Sequence, residues 1–313
     1  MDKLYLVVPC YNEEEVLPET ARRLAAKFDN LIAGGKISPE SKVVFVDDGS
    51  IDRTWEIIEG LNESSPLFQG IKLSRNKGHR NALLAGLMAV KDECDMTISM
   101  DADLQDDIDA IDRMLEKYYD GCDVVYGVRS ERKTDSAFKR ATAHGFYKVM
   151  KLLGADIIYN HADYRLMSRR ALDALSEFKE VNLFLRGIVP LVGFKSDTVE
   201  YKRTERFAGQ SKYPLKKMIS FALNGITSFS IKPIRMITAL GILIFSVSIL
   251  MLVYFLVRHF TGNTVQGWTT LAASVWAIGG LQLLAIGVVG EYIGKMYMET
   301  KARPKYVIEK YLK

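Results

Sequence analysis

The chain has 313 residues, of which 48% are hydrophobic and 26% charged, a globular composition that excludes a mainly disordered or fibrous protein. Lysine and arginine number 42 against 38 acidic residues, and the resulting net charge of +4 is too balanced to indicate a nucleic-acid partner. Cys10, Cys94 and Cys122 are far apart and form no CxxC pair, so neither a disulfide framework nor a cysteine-rich zinc site is expected, and a reducing compartment fits.

Taken in chain order, the first two hundred residues alternate strands and helices. Leu4–Pro9 is a short apolar run suited to a buried strand, and its sequel is too charged and too soon for a signal peptide. Glu13–Phe28 has helical spacing, with Asn12 placed as an N-cap. A strand over Lys42–Val46 ends in Asp47-Asp48-Gly49-Ser50. A helix over Asp52–Leu61, a strand over Ile71–Leu73, a helix over Asn81–Val90 and strands over Met96–Met100 and Asp123–Val128 follow. Such alternation predicts an α/β fold with a mostly parallel sheet covered on both faces. Val181–Phe194 is apolar, but Arg186 and Pro190 argue for a core or interfacial helix. Met218–Ser230 has the apolar weight of an in-plane helix.

Composition changes near residue 232. Ile234–Val257 carries one charge, Arg235, at its edge, and Trp268–Gly290 carries no Asp, Glu, Lys or Arg. Each matches the roughly 20 residues that cross a bilayer core of about 30 Å, which predicts two transmembrane helices. Lys212, Lys216, Lys217, Lys232 and Arg235 precede the first run. Lys295, Lys301, Arg303, Lys305, Lys310 and Lys313 follow the second. The loop His259–Gly267 has neither lysine nor arginine. The positive-inside rule then puts both termini in the cytoplasm. Gly290 and Gly294 have the GxxxG spacing that lets helices pack closely.

In open α/β sheets ligands bind beyond the carboxyl ends of the strands. Three loops meet that description: Pro9-Cys10-Tyr11-Asn12, Asp47-Asp48-Gly49-Ser50 and Asp101-Ala102-Asp103. Neither GxGxxG nor GxxxxGK[ST] occurs, which disfavours the glycine-fingerprint nucleotide folds. Two carboxylates one residue apart at a strand end suit a hard cation, Mg2+ or Mn2+, that bridges to substrate phosphates. Asp106, Asp107 and Asp109 add negative charge, or simply open a helix in favourable contact with its dipole. Asp47 and Asp48 read either as a turn, with Asp52 capping the next helix, or as acceptors for a nucleobase or ribose. His79 and His161 read as structural or nucleotide-near residues.

VVPCYNEEEVL, FVDDGSIDRTW, LSRNKGHRNALLAGL and DADLQDD, in this order, resemble the family 2 glycosyltransferases of the GT-A fold. HADYRLMSRRAL, RFAGQSKYPLKKM and KARPKY are similar to the polyprenyl-phosphate branch, which includes dolichyl-phosphate mannose synthases and bactoprenol glucosyltransferases. The resemblance implies a cytosolic GT-A catalytic domain over 1–210 and a juxtamembrane interfacial segment over 211–233. Transmembrane helices over 234–257 and 268–293 and a cytosolic tail over 294–313 complete it.

By the same resemblance Pro9, Tyr11, Asn12, Glu13 and Asp48 hold the nucleotide, and Asp101 and Asp103 the metal. Asp103, Gln105 and Asp163 serve the reaction. Arg165, Arg206, Lys212 and Tyr213 meet the acceptor phosphate. Asp163 matches the position of a catalytic base or acceptor-site carboxylate. It could act by holding Arg165 or Arg206 against the lipid phosphate. The Asp107-Ile108 pair departs from the prolines of many relatives.

The implied reaction is inverting, metal-dependent transfer of one sugar from a nucleotide-sugar, UDP preferred over GDP, to a polyprenyl phosphate such as undecaprenyl phosphate. It would take place at the cytoplasmic face of a bacterial plasma membrane, by a chain that can be homo-oligomeric. A processive polysaccharide synthase is the nearest alternative, but that branch carries QxxRW, and none of Trp55, Trp268 and Trp276 follows an arginine. The other alternative is an inactive sugar-nucleotide-binding membrane scaffold, against which the intact DxD counts.

Overall fold

The computed structural model describes residues 1–129, 161–180, 185–202, 232–260 and 268–313. The chain divides into two compact units. The first comprises Met1–His144, Ile157–Tyr213 and Arg303–Lys313, the second Gly145–Asp156 and Pro214–Ala302.

The first unit is an α/β sheet domain. Its described strands are β1 (Leu4–Cys10), β2 (Lys42–Asp47), β3 (Phe68–Leu73), β4 (Met96–Ser99), β5 (Val124–Arg129), β6 (His161–Ser168), β7 (Ser196–Tyr201) and β8 (Ile308–Leu312). They form one sheet in the order β7-β5-β6-β4-β1-β2-β3-β8. The pairings β1–β2, β1–β4, β2–β3 and β5–β7 are parallel. β6 runs antiparallel to β4 and β5, and β8 antiparallel to β3. The expected mostly parallel sheet is therefore present. β1 is buried at every position, as a continuous apolar run covered on both faces requires.

The described helices of this unit are α1 (Leu17–Ala33), α2 (Thr54–Ser64), α3 (His79–Val90), α4 (Ala110–Tyr119), α5 (Arg169–Ser176) and α6 (Leu185–Leu191). On α1 the buried Leu17, Ala21, Leu24, Phe28 and Leu31 form one stripe toward the sheet. This helix starts later than Asn12-capping predicts. Asn12 lies at φ 54°, Glu13–Val16 form a turn, and Pro18 occupies the first helical turn, where its missing N–H costs nothing. Asp52 does serve α2, its Oδ1 accepting from Thr54 N at 3.0 Å. α3 lies close on β1 and β2. A Cβ on Gly86 would sit 2.4 Å from Val7 and 2.7 Å from Val46, so glycine is what permits that approach. In α6, Leu185, Ile188 and Val189 are buried, which makes this short helix a core element.

β6, β7, β8 and α5 are additions to the predicted elements. Residues 294–313, expected as a tail, instead continue a helix to Lys301 and then enter the sheet of the first unit. Ala302 at φ 44° and Pro304 end that helix. β8 then covers the β3 edge, with Tyr311 Oη donating to Gln69 Oε1 at 3.1 Å and Lys310 paired to Glu59 at 2.7 Å.

The second unit contains α7 (Lys232–Phe260) and α8 (Trp268–Lys301), of 29 and 34 residues. At 1.5 Å per residue they are about 44 and about 51 Å long. Among the described residues no helix is long and apolar enough to cross a membrane. Both helices expose large apolar side chains, including Leu243, Leu250, Val275, Leu283 and Ile286. Residues 211–231 of the expected juxtamembrane segment lie outside the described residues.

Candidate active site

Parallel pairing brings the carboxyl ends of β1, β2 and β4 to one rim, and each ends in one of the polar loops singled out from sequence. The first two loops are stitched together. Asn12 N donates to Ser50 Oγ at 3.0 Å, Ile51 N to Asn12 Oδ1 at 3.0 Å, and Glu13 N to Thr54 Oγ1 at 2.9 Å. Pro9 is buried at the strand end, and Tyr11 stays 44% exposed, its ring available for stacking.

Asp47 and Asp48 are both buried but serve different ends. Asp47 Oδ1 accepts from Ser50 N at 3.1 Å and closes the turn. Asp48 accepts from Lys77 N at 2.7 Å and Gly78 N at 2.9 Å, one with each oxygen. Burial pushes both carboxyls above their usual range, against the pull of these donors. Asp48 thus shapes the loop between β3 and α3. Gly49 allows that loop to pass: it lies at φ +69°, and a Cβ there would meet Asn76 N at 2.6 Å and the Arg75 carbonyl carbon at 2.7 Å. Gly49→Ala should cost about 2–4 kcal/mol from strain and backbone displacement together. Gly60→Ala, mid-helix with open space around it, should stabilise by up to about 1 kcal/mol. Thermal denaturation of the two variants checks this, and equal melting temperatures would refute it.

The third loop carries the acidic centre. His79, the first residue of α3, places Nε2 2.9 Å from Asp101 Oδ1. Burial works against the Asp101 charge, but the His79 contact outweighs it and holds the carboxyl below its usual range. Asp103 is 7% exposed and its Oδ1 accepts from Gln105 N at 3.2 Å, with Leu104 between them at φ 57°. Gln105 itself is half-buried. Asp106 is buried, and burial followed by the charge of Asp101 pushes its carboxyl up to about 6.

Antiparallel β6 supplies the next group. Ser99 sits opposite Arg165, a register that carries Asp163 toward Asp101, and the Asp163 charge is felt there. Arg165 Nη2 donates to Asp163 Oδ1 at 2.8 Å, with side-chain exposures of 2% and 16%. Arg165 is therefore a buried partner of Asp163. Burial between β4, β5 and α6, where its Nη1 also contacts the Leu185 carbonyl at 3.4 Å, leaves it no open face. Arg129, the last residue of β5, is a second cation at this rim.

A family model for glycosyl transferase family 2 matches residues 5–176. The chain belongs to that family. As a family 2 glycosyltransferase it has close full-length relatives. It is 54% identical over 306 residues to an uncharacterized glycosyltransferase, YkoT, of Bacillus subtilis, covering 98% of this chain and 91% of the relative. It is 43% identical over 310 residues to the bactoprenol glucosyl transferase of Shigella phage SfX, covering 98% and 99%. Glucosyl-3-phosphoglycerate synthase of Mycobacterium tuberculosis aligns at 14% identity and a TM-score of 0.46, over 72% of this chain and 76% of that one.

For this glycosyltransferase the rim gathers Pro9, Tyr11, Asn12, Glu13, Asp48, Asp101, Asp103, Gln105 and Asp163 around the strand ends. Arg206, Lys212 and Tyr213 lie outside the described residues. His79, read from sequence as structural or nucleotide-near, lies at this rim in NKGHR, and Arg129, which no sequence motif singled out, joins it at the end of GVR. Among the described residues no group of three or more His, Cys, Asp or Glu side chains could close around a metal ion. The donor set still fits Mg2+ or Mn2+, which are held by one or two carboxylates together with waters and substrate phosphates. Asp101 and Asp103 supply hard oxygen donors, and the low carboxyl range of Asp101 keeps it ionised at neutral pH. Burial is the main cause of the raised Asp106 carboxyl, and the Asp101 charge adds to it, a part that a cation on Asp101 would relieve.

Proposed function

We propose that this chain transfers a single sugar from a UDP-sugar to a polyprenyl phosphate such as undecaprenyl phosphate, with inversion at the anomeric carbon. Glucose is the sugar we favour, since relatives 42–43% identical across nearly the whole chain are named bactoprenol glucosyl transferases. The observation that carries the reading is the convergence of Asp101, Asp103 and Asp163 on one rim beside His79 and Arg129.

Asp101 and Asp103 would hold Mg2+ or Mn2+, which when bound supplies positive charge to the departing diphosphate. The PCYNE loop and the loop shaped by Asp48 border the nucleotide, with Tyr11 stacking on its base. A phosphate monoester is largely dianionic at neutral pH, its second pKa being about 6, so the acceptor oxygen attacks without losing a proton. The new bond joins that oxygen to the anomeric carbon, the bond from carbon to the nucleotide diphosphate breaks, and UDP leaves with the electron pair. Asp163 orients the acceptor side of the rim and is itself oriented by Arg165.

The acceptor is a lipid, and the chain is suited to reach it. In sequence, the uncharged runs within Ile234–Val257 and Trp268–Gly290 have the composition of spans, with basic residues on the flanks and only Arg258 at the edge of the loop between, and this composition supports the reading although no described helix meets the length and apolarity of a span. β8 belongs to the same sheet as β1, which supports an even number of crossings between β7 and β8. On this reading both termini and the catalytic unit are cytoplasmic.

The test is transfer by the full chain in detergent to undecaprenyl phosphate, with UDP- and GDP-sugars and Mn2+ or Mg2+. Turnover with a UDP-sugar is expected, abolished by chelator and restored by excess metal. Nucleotide binding without transfer to any lipid phosphate would overturn the reading in favour of a binding scaffold.

A further inference from the structure

The loop that follows Asp101 and Asp103, and helix α4 after it, are fastened from β6 and β7. Tyr164 Oη donates to the Asp107 carbonyl at 2.9 Å, and Arg113 Nη1 donates to the Glu200 carbonyl at 2.7 Å. Tyr201, on β7, packs edge-on against Tyr164 with ring centroids 5.3 Å apart. One part of this fastening points somewhere else.

Arg129 and Tyr201 face each other on the last rung of the β5–β7 pairing. Tyr201 Oη donates to Asp106 Oδ1 at 2.5 Å, and Arg129 Nε donates to Tyr201 Oη at 3.2 Å. A phenol has one proton, so giving it to Asp106 turns the oxygen lone pairs toward Arg129. Donation runs inward, from the guanidinium through the phenol to a buried carboxylate. Arg129 Nη2 also lies 3.8 Å from the same Asp106 oxygen, and side-chain exposure rises from 2% at Asp106 to 25% at Arg129. The other Asp106 oxygen is buried with no hydrogen-bond partner. A carboxylate buried this way is a poor choice for stability alone, because apolar groups of the same volume hold a fold at least as well. It is a good choice for fixing an arginine fork, whose planar donors match phosphate oxygens.

We propose that Asp106 and Tyr201 are positioning residues that hold the Arg129 guanidinium at the rim to receive a substrate phosphate. The proposal rests on the reading of the rim as a nucleotide-sugar transferase site. Phosphates occur on both donor and acceptor, so the substrate whose KM responds identifies which one Arg129 meets.

The test is a double-mutant cycle in the full chain. Tyr201→Phe keeps the ring against Tyr164 and should raise one substrate KM about tenfold, the scale of a hydrogen bond to a charged group. Arg129→Ala should raise the same KM further. The double variant should be no worse than Arg129→Ala alone, since Tyr201 then has nothing to position. Asp106→Asn keeps an acceptor for Tyr201 and should retain most activity, whereas Asp106→Leu should match Tyr201→Phe. Additive losses, or a Tyr201→Phe enzyme with unchanged KM values, would overturn the proposal. If the wild-type chain transfers no sugar, the transferase reading has failed. The same cycle is then scored on the dissociation constant of UDP with Mn2+, where coupling supports the positioning role and additivity or no effect rejects it.

Discussion

Asp103→Ala should lower sugar transfer by about a thousandfold or more while leaving the chain folded. The size follows from what the carboxylate supplies. Charge stabilisation at a departing diphosphate is worth several kcal/mol in a water-poor site, and each 1.4 kcal/mol is tenfold in rate. Asp103 is 7% exposed and its Oδ1 accepts from Gln105 N, so it both offers an oxygen donor and shapes the turn that presents it. Losing that hydrogen bond costs about 1 kcal/mol of stability, or roughly 2–4 °C in melting temperature for a unit of this size. Asp103→Asn keeps an acceptor for Gln105 N and should restore the melting temperature but not the transfer. His79→Ala should act more mildly, since it releases Asp101 without removing a carboxylate. Steady-state transfer assays beside thermal melts decide the matter. A folded Asp103→Ala enzyme within tenfold of wild type would remove this residue from the metal site.

The central strands were legible because their residues are buried on both faces and read as unbroken apolar runs. Leu4–Cys10 and Lys42–Asp47 are the plainest cases. The rim was legible for a related reason. A parallel strand delivers its next loop to one end of the sheet, so three polar loops after three such strands had to meet. β6 was hidden because HADYRLMS places Asp163 and Arg165 where a buried strand usually carries aliphatic residues. Their mutual pairing, which makes burial tolerable, is invisible until β4 lies beside them. β8 was hidden because nothing local in IEKYL indicates a partner more than two hundred residues earlier.

Asp48 shows what spacing leaves open. Both readings of DDGS contain part of the answer: the turn belongs to Asp47, and Asp48 reaches across to the Lys77 and Gly78 amides. That contact depends on Gly49 letting the second loop pass beneath it, a matter of packing and not of pattern. Arg165 shows what burial adds: beside the site aspartate and only 2% exposed, it is paired with Asp163, which the sequence offered as one way for that aspartate to act.

That pairing sets up the second large effect. Asp163→Asn should destabilise the catalytic unit by about 3 kcal/mol, because it leaves the buried Arg165 guanidinium without its charged partner. In a unit of this size the melting temperature should fall by roughly 6–12 °C. Transfer should drop only about tenfold below the melting range, and the pH profile should keep the wild-type shape. The reason is chemical: an acceptor phosphate that is already dianionic presents no proton for Asp163 to remove. A general base would behave differently, with a loss of several orders of magnitude and an altered acidic limb, and that result would overturn the orienting role. Asp163→Leu combined with Arg165→Leu separates fold from function. Removing both charges eliminates the uncompensated cation, so much of the lost stability should return. Transfer should stay low, because nothing is left on β6 to orient the acceptor. If transfer returned together with stability, the pair would be structural alone, and the acceptor phosphate would have to be oriented from elsewhere on the rim.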